Sequence, residues 1–121
     1  MAAEFNIAAS DNWFIGEDKT INVDVDQSDG STPQTMTGWA LTWELKDSAT
    51  GVVRVTKTTS GGGVTISNGG GTDDRASVAV LDTDTEALAP GTFFHQLRRT
   101  DAGNEVVLAF GNAVLKDSGV R

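Results

Sequence analysis

Alternation of apolar and polar residues is the feature of this sequence that most restricts the folds open to it. The sharpest case is residues 38–46, where four large apolar side chains occupy alternate positions: Trp39, Leu41, Trp43 and Leu45. A period of two belongs to a β-strand with one buried face, whereas an amphipathic helix has a period of about 3.6 residues. We therefore predict a strand whose four apolar side chains lie in the core.

The same alternation recurs along most of the chain, and clusters of Gly, Asn, Asp and Ser separate the segments. Further strands are predicted at residues 19–25, 52–58, 64–67, 75–81, 92–100 and 105–116. The strand at 92–100 adds Phe93 and Leu97 to the expected core. Residues 82–89 predict a short helical turn before Pro90 and Gly91. About seven short strands at regular spacing are typical of an antiparallel β-sandwich, so the expected fold class is all-β.

Composition excludes several classes of function. The 121 residues suffice for one domain, in which we expect residues 1–12 to be an N-terminal arm or edge strand and residues 13–121 to be the sandwich. The chain has no cysteine, which removes disulfides, zinc–thiolate sites and a cysteine nucleophile. The one histidine, His95, cannot supply a metal site that needs two imidazoles. We therefore expect no metal, no cofactor and no enzymatic activity.

Charge and hydropathy limit the classes of partner. The sequence has 9 basic and 17 acidic residues, so its net charge of −8 cannot neutralise a phosphate backbone as nucleic-acid-binding proteins do. It nowhere reaches the roughly 18 consecutive apolar residues of a membrane span, and its start lacks the basic and apolar regions of a signal peptide. We expect neither nucleic acid nor a membrane as a partner.

The predicted loop 26–37 is long for a connection between strands, and such loops often carry function. Asp26 and Asp29 could belong to a calcium loop, because hard cations need six or more oxygen ligands. The spacing does not match an EF-hand, since Gly30 falls one residue late and Thr35 stands where a bidentate Glu is required. A solvated turn rich in Asp and Ser is favoured. The loop residues expected to contact a partner are Asp26, Asp29, Pro33 and Met36.

Apolar residues near the N-terminus are further candidates for contact. Phe5 and Ile7 lie in a segment that could pair either with its own sheet or with the sheet edge of a neighbouring subunit. Trp13 and Phe14 could anchor an interface or stack on a sugar. The alternative is that these two rings cap one end of the sandwich. The residue pattern leaves both pairs of alternatives open.

Two remaining features permit a catalytic or phosphate-binding interpretation. His95 shares a predicted strand face with Phe93 and Leu97, and it would need a nucleophile and an orienting carboxylate to act as a general base. No Gly-x-Ser-x-Gly motif accompanies it, so a partly buried structural histidine is favoured. Neither glycine run, 61–63 or 69–71, is followed by the dipeptide Lys-Ser or Lys-Thr, and neither opens a helix. They are interpreted as flexible turns rather than phosphate cradles.

A longer pattern of strands and turns resembles a known family. It comprises residues 16–25, Asp29-Gly30, Met36-Thr37-Gly38, the strand 39–47, Thr50-Gly51, the stretch Leu88-Ala-Pro-Gly-Thr-Phe-Phe-His-Gln-Leu-Arg and the turn 101–104. Over residues 16–116 the chain resembles the immunoglobulin-like domains of tailed-phage virion proteins. The likeness is to the N-terminal domain of baseplate upper proteins and to small standalone head, neck or tail proteins. One departure is Phe93, which stands where such sandwiches often have a tyrosine that hydrogen-bonds to the backbone.

This resemblance implies an immunoglobulin-like β-sandwich in a non-enzymatic phage structural protein, made in the host cytoplasm and located in the virion. It implies major capsid, neck or tail subunits as partners and a homo-oligomer or symmetric array in the particle. Baseplate upper proteins continue into a stem. Because we expect no stem in this chain, a capsid decoration or head–tail accessory role is expected ahead of a baseplate or tail adaptor. The alternatives are a carbohydrate- or host-surface-binding module and a small hydrolase that uses His95.

Overall fold

The computed structural model describes residues 3–117, which form an all-β fold with two sheets. The larger sheet contains β1 (Ala3–Glu4), β2 (Trp13–Phe14), β4 (Leu41–Lys46), β5 (Val53–Thr58), β8 (Gly91–Arg99) and β9 (Val106–Lys116). The smaller sheet contains β3 (Lys19–Asp24), β6 (Val64–Ser67) and β7 (Arg75–Val80). A helical turn, α1 (Asp82–Thr85), connects β7 to β8. The predicted all-β class is confirmed.

The strand order of the larger sheet is β1–β9–β8–β4–β5, with β2 also paired to β9, and that of the smaller sheet is β3–β7–β6. The pairs among β4, β5, β8 and β9 are antiparallel, whereas β1 and β2 run parallel to β9. The inner faces of both sheets contribute side chains to one hydrophobic core. Two sheets that share a core in this way form a sandwich.

Burial along the central strands follows the period of two seen in the sequence. In β4 the side chains of Leu41, Trp43 and Leu45 are buried, and the intervening residues are half-buried. In β8 the buried side chains include Phe93 and Leu97. These five core assignments are confirmed, because alternate residues of a strand point to opposite faces and only one face meets the other sheet.

Trp39 was expected in the core and instead lies at its rim. β4 begins only at Leu41, and the N–H of Trp39 donates to the carbonyl of Met36 at 3.0 Å in the preceding turn. The half-buried indole packs against the guanidinium of Arg99, which lies 3.9 Å from the ring centroid. The alternation thus continues in the sequence beyond the start of the strand, and Trp39 lies in the turn that precedes the strand.

Residues 3–14 lie along the β9 edge of the chain's own larger sheet. Between β1 and β2, Ile7 forms a parallel bridge with Ala113, and a short 3₁₀ helix (Ala9–Asp11) then leaves the edge. Of the two alternatives for the N-terminal segment, the edge strand describes these residues. Met1 and Ala2 of the expected arm lie outside the described residues.

Candidate interaction surfaces

Three residues expected to contact a partner are buried in the core. Ile7, Trp13 and Met36 expose 4%, 1% and 0% of their surface. Ile7 and Trp13 are buried because their segment pairs with β9, and Met36 is held inward by its N–H, which donates to the carbonyl of Asp73 at 2.8 Å. The expectation that these three side chains contact a partner is therefore wrong for the folded chain.

Phe5 and Phe14 are half-buried and engaged within the chain. The ring of Phe5 packs edge-on against His95 with 5.9 Å between ring centroids. The ammonium of Lys116 lies 5.2 Å from the centroid of Phe14, within the range of a cation–π contact. Both rings therefore contribute to the edge formed by residues 3–14, and each retains only part of its surface for other contacts.

Loop 26–37 is ordered by its own backbone. Asp26 and Pro33 form an antiparallel bridge, and the carboxylate of Asp29 accepts hydrogen bonds from the backbone of Ser31 at 3.0 Å and Thr32 at 2.9 Å and from the Thr32 hydroxyl. These bonds lower the pKa of Asp29 to about 2. The loop is thus a small hairpin with an Asx turn at its tip.

These bonds engage one of the two carboxylates that suggested a calcium loop. Asp29 uses its carboxylate to cap the turn, and Asp26 and Asp29 remain exposed at the surface. Within residues 3–117 we find no group of three or more His, Asp or Glu side chains placed to hold a metal ion. Pro33 is half-buried and packs near Gly71, where an added Cβ would lie 2.7 Å from the Pro33 Cβ.

The glycine run 69–71 surrounds an anion, but the anion is a side chain of the chain itself. The buried carboxylate of Asp74 accepts hydrogen bonds from the backbone of Gly69 at 2.7 Å and Gly70 at 3.2 Å. Hydrogen bonds from the backbone of Gly69, Gly71 and Gly70 lower the pKa of Asp74, although partial desolvation opposes this. The run is therefore more than a flexible turn, since its amides stabilise a buried charge.

His95 is fully buried in the core, whereas the sequence favoured a partly buried histidine. It is 1% exposed, its Nδ1 accepts a hydrogen bond from Trp43 Nε1 at 3.2 Å, and its Nε2 lies 2.5 Å from the carbonyl oxygen of Phe5. This arrangement assigns the proton of the neutral ring to Nε2, which donates to Phe5. Burial lowers the pKa of His95, and the bond to Phe5 opposes that shift. Neither ring nitrogen is free to accept a substrate proton.

The outer face of the larger sheet carries an aromatic pair that sequence analysis did not single out. Phe94 of β8 and Phe110 of β9 have ring centroids 6.4 Å apart and are both half-buried. Beside them, Gln96 lies opposite Phe110 and opposite Glu44, whose carboxylate is 3.4 Å from the guanidinium of Arg98. We call this surface the Phe94 face. The sequence contained a signal for this face. Phe93 and Leu97 mark the buried side of β8, so Phe94 is a large apolar residue on the side expected to be polar.

Two clefts flank the N-terminal segment where it faces β3. One, of about 270 Å³, lies between residues 3–5, residues 23–28 and Leu108 and Ala109 of β9. The other, of about 230 Å³, lies between residues 5–7 and residues 19–22. Phe5 lines both clefts, so the clefts adjoin each other. One is lined by residues 19–22 and the other by residues 23–28, so together they follow the whole length of β3.

No helix among residues 3–117 is long and apolar enough to cross a membrane. Comparison of the sequence with models of protein families and with curated protein sequences gave no match. The functional assignment therefore depends on the surfaces described above and on the resemblance in the strand and turn pattern.

Proposed function

We propose that this chain is a non-enzymatic, immunoglobulin-like structural subunit of a tailed-phage virion. It acts as a capsid decoration or cement subunit or as a head–tail accessory subunit, with a baseplate or tail adaptor as the alternative within the same class. Its partners are copies of a phage structural protein in a symmetric assembly.

Strand order is the observation that carries the immunoglobulin-like assignment. Labelled as in immunoglobulin domains, β3, β4, β5, β6, β7, β8 and β9 take the places of strands B, C, C′, D, E, F and G. The larger sheet then reads G–F–C–C′ with the N-terminal segment beside G, and the smaller sheet reads B–E–D. This order supports the resemblance, which rested on turns and core positions alone.

The arrangement of His95 supports a non-enzymatic role. Both ring nitrogens bond to groups of the core, and the ring is shielded from solvent. A general base must reach a substrate proton through a hydrogen bond or a water molecule. The structural role of this residue is accordingly preferred over the hydrolase alternative.

Binding in this proposal is passive and multivalent. A subunit that repeats on a symmetric shell, ring or tube gains avidity because many weak contacts act together. The exposed surfaces available for such contacts are the tip of loop 26–37 with Asp26 and Asp29, the Phe94 face and the edges of the sheets.

The proposal is tested by the copy number of this protein in purified phage particles. Quantitative mass spectrometry relative to the major capsid protein gives the ratio. A ratio near a simple fraction of the capsid protein is expected for a decoration subunit, and a small fixed number for a neck, tail or baseplate ring. Absence of the protein from particles contradicts the proposal.

The Phe94 face favours a second candidate, a carbohydrate-binding module. Paired aromatic rings beside amide and charged side chains are the groups that stack on and hydrogen-bond to sugars. A glycan array tests this candidate, and Phe94→Ala is the informative variant because Trp13 is buried. Saturable sugar binding that is lost in Phe94→Ala but kept in Val52→Ala, a change at an exposed apolar residue elsewhere, supports this second function.

A further inference from the structure

The free edge of β3 is an open hydrogen-bonding edge. In the described chain β3 is the outer strand of the smaller sheet and pairs with β7. The N–H of Val25 donates to the carbonyl of Asp74 at 2.9 Å, which continues the β3–β7 register by one position. Bonded and non-bonded pairs alternate in an antiparallel ladder. The backbone groups that point away from β7 are therefore those of Thr20, Asn22 and Asp24.

The pairing of β7 with β6 gives the same result independently. The N–H of Ala79 donates to the carbonyl of Gly63 at 2.8 Å, so alternate residues of β7 bond to the β6 side. The remaining residues of β7, which include Ala76 and Val78, bond to β3. Ala76 and Val78 lie opposite Val23 and Ile21, which leaves the intervening residues of β3 directed to the open side.

A second open edge faces this one across the two clefts. The N–H groups of Phe5 and Ile7 donate to Phe110 at 2.7 Å and to Asn112 at 2.8 Å. Because direction alternates along a strand, the backbone groups of Glu4 and Asn6 point away from β9. Residues 3–7 and 19–27 thus bound the clefts on both sides. We call the space between these two backbone edges the edge slot.

The other sheet edges are less suited to accept a strand. β6 is only 4 residues long, and the pairing of β5 with β4 is interrupted by a bulge between Leu45 and Lys46. Short strands and bulges are common ways in which proteins protect an edge from pairing. β3 has 6 residues in unbroken register with β7.

The charge around the edge slot indicates the chemistry of its occupant. The residues that line the clefts include the acidic Glu4, Asp11, Asp24 and Asp26 and one basic residue, Lys19. Asp24 is paired with Arg75 at 2.6 Å, which leaves three carboxylates against one lysine. A second copy of this chain, with a net charge of −8, offers no complementary charge.

We infer that the edge slot binds an extended segment of a partner protein, with alternating cationic and β-branched side chains, as an added β-strand. The backbone of the segment pairs with Thr20, Asn22 and Asp24, its β-branched side chains face the sandwich, and its cationic side chains face the carboxylates. The inference goes beyond the proposed function, because it concerns the edge itself and holds for a partner inside or outside a virion.

The test uses capped synthetic peptides of the same 6-residue length as β3. The probe is Lys-Val-Lys-Thr-Lys-Val, and its control has Glu in place of each Lys. Binding to the full chain is measured by NMR titration together with amide hydrogen exchange. We expect saturable binding of the Lys peptide with Kd below about 1 mM, binding of the Glu peptide weaker by about tenfold or more, and slowed exchange at Thr20, Asn22 and Asp24.

Two proline variants form a matched pair for the same titration. Thr20→Pro removes a backbone N–H that points into the edge slot, and Thr56→Pro removes a backbone N–H on the outer side of β5. The N–H of Thr59 donates to the Leu41 carbonyl of β4 at 3.1 Å. Because the direction of the N–H groups alternates along the strand, that of Thr56 points away from β4. Thr20 and Thr56 are both exposed. We expect Thr20→Pro to raise the Kd of the Lys peptide by about tenfold and Thr56→Pro to leave that Kd within about twofold of the value for the unaltered protein.

Several outcomes overturn the inference. They are the lack of saturable binding at millimolar Lys peptide, binding of the Glu peptide as tight as that of the Lys peptide, and an equal loss of affinity for the Lys peptide in both proline variants. Slow exchange of the three β3 amides in the protein alone would also overturn it, because the slot would then be filled by this chain or by a second copy. If Thr20→Pro does not fold, exchange in the unaltered protein with and without peptide still decides the question. Copy number in particles is a separate result, so failure here does not affect the proposed function.

Discussion

His95 couples the stability of the core to pH. Its folded pKa lies below the ordinary value of 6.5, chiefly because burial disfavours the charged ring. As pH falls through 6.5 the unfolded chain takes up a proton that the folded chain does not, so protonation stabilises the unfolded state. The contribution of His95 to stability is therefore complete above pH 6.5 and falls as pH decreases below it, with a slope of at most about 1.4 kcal/mol per pH unit.

His95→Gln should remove this slope. The Gln amide can donate to Phe5 and accept from Trp43 without titrating, so we expect a free energy of unfolding that is nearly constant between about pH 5.5 and 7.5. Urea unfolding at several pH values measures it. Because His95 is the only histidine in the sequence, no second imidazole contributes. Equal slopes in the two proteins would contradict the role assigned to His95.

Gly111 permits the close approach of the N-terminal segment to β9. An added Cβ would overlap the Phe5 carbonyl oxygen and would lie 2.6 Å from Asn6 Oδ1, which itself accepts the Asn112 N–H at 2.9 Å. We expect Gly111→Ala to lower the free energy of unfolding by about 1–3 kcal/mol. Faster amide exchange at Phe5 and Ile7 should accompany the loss.

Gly70→Ala is the matched control for Gly111→Ala. No atom lies within 4 Å of an added Cβ at Gly70, and alanine keeps the N–H that bonds to Asp74. We expect the control to change stability by less than about 0.5 kcal/mol. A loss of the same size in both variants would mean that the approach at Gly111 is not the cause.

At the level of elements, the N-terminal segment should behave as part of the larger sheet. Ile7 is 4% exposed, so Ile7→Ala should cost about 2–4 kcal/mol in chemical unfolding. Val52 is 60% exposed, and Val52→Ala should leave stability nearly unchanged. If Ile7→Ala proves as mild as the control, then the segment does not contribute to the core as its burial indicates.

At the level of the whole molecule, hydrogen-bonded carboxylates make the fold sensitive to acid. The pKa values of Asp29, Asp47, Asp74, Asp84 and Asp101 all lie below their ordinary value of 3.8. Stability from such groups is present above pH 3.8 and is lost as pH falls through the lower folded pKa. The acid decline is therefore separate from the one caused by His95.

Asp74→Asn tests this acid decline at its most buried carboxylate. The variant should have a lower Tm at pH 7, because an amide cannot accept the Gly69, Gly70 and Gly71 N–H groups as well as a carboxylate does. Its Tm should then fall less than that of the unaltered protein between about pH 4 and 2. Circular dichroism melts give both values. Parallel curves of Tm against pH for the two proteins would show that the backbone N–H groups of residues 69–71 do not hold a charged Asp74.

The strands were accessible from the sequence because their signals are local. Alternation placed β4 and β8 with their buried faces, and turn residues separated β4 from β5 and β8 from β9. The helical turn at Asp82–Thr85 was expected within the longer stretch 82–89. Thr85 is buried in the core, where its hydroxyl accepts the Gly16 N–H at 2.9 Å. That contact joins residues far apart in sequence and left no local signal.

The sequence by itself determined the all-β class and the core strands, because side-chain period and turn chemistry act between near neighbours. Tertiary structure alone decided that residues 3–7 and 13–14 lie along β9, that Trp13 and Met36 are buried, that the Gly69–Gly71 amides surround Asp74, and that no strand among the described residues pairs with the outer edge of β3. Backbone pairing uses the same N–H and C=O groups in every residue. The choice of neighbours therefore depends on how the whole chain packs, as in the bond between Asn6 and Asn112 across 106 positions.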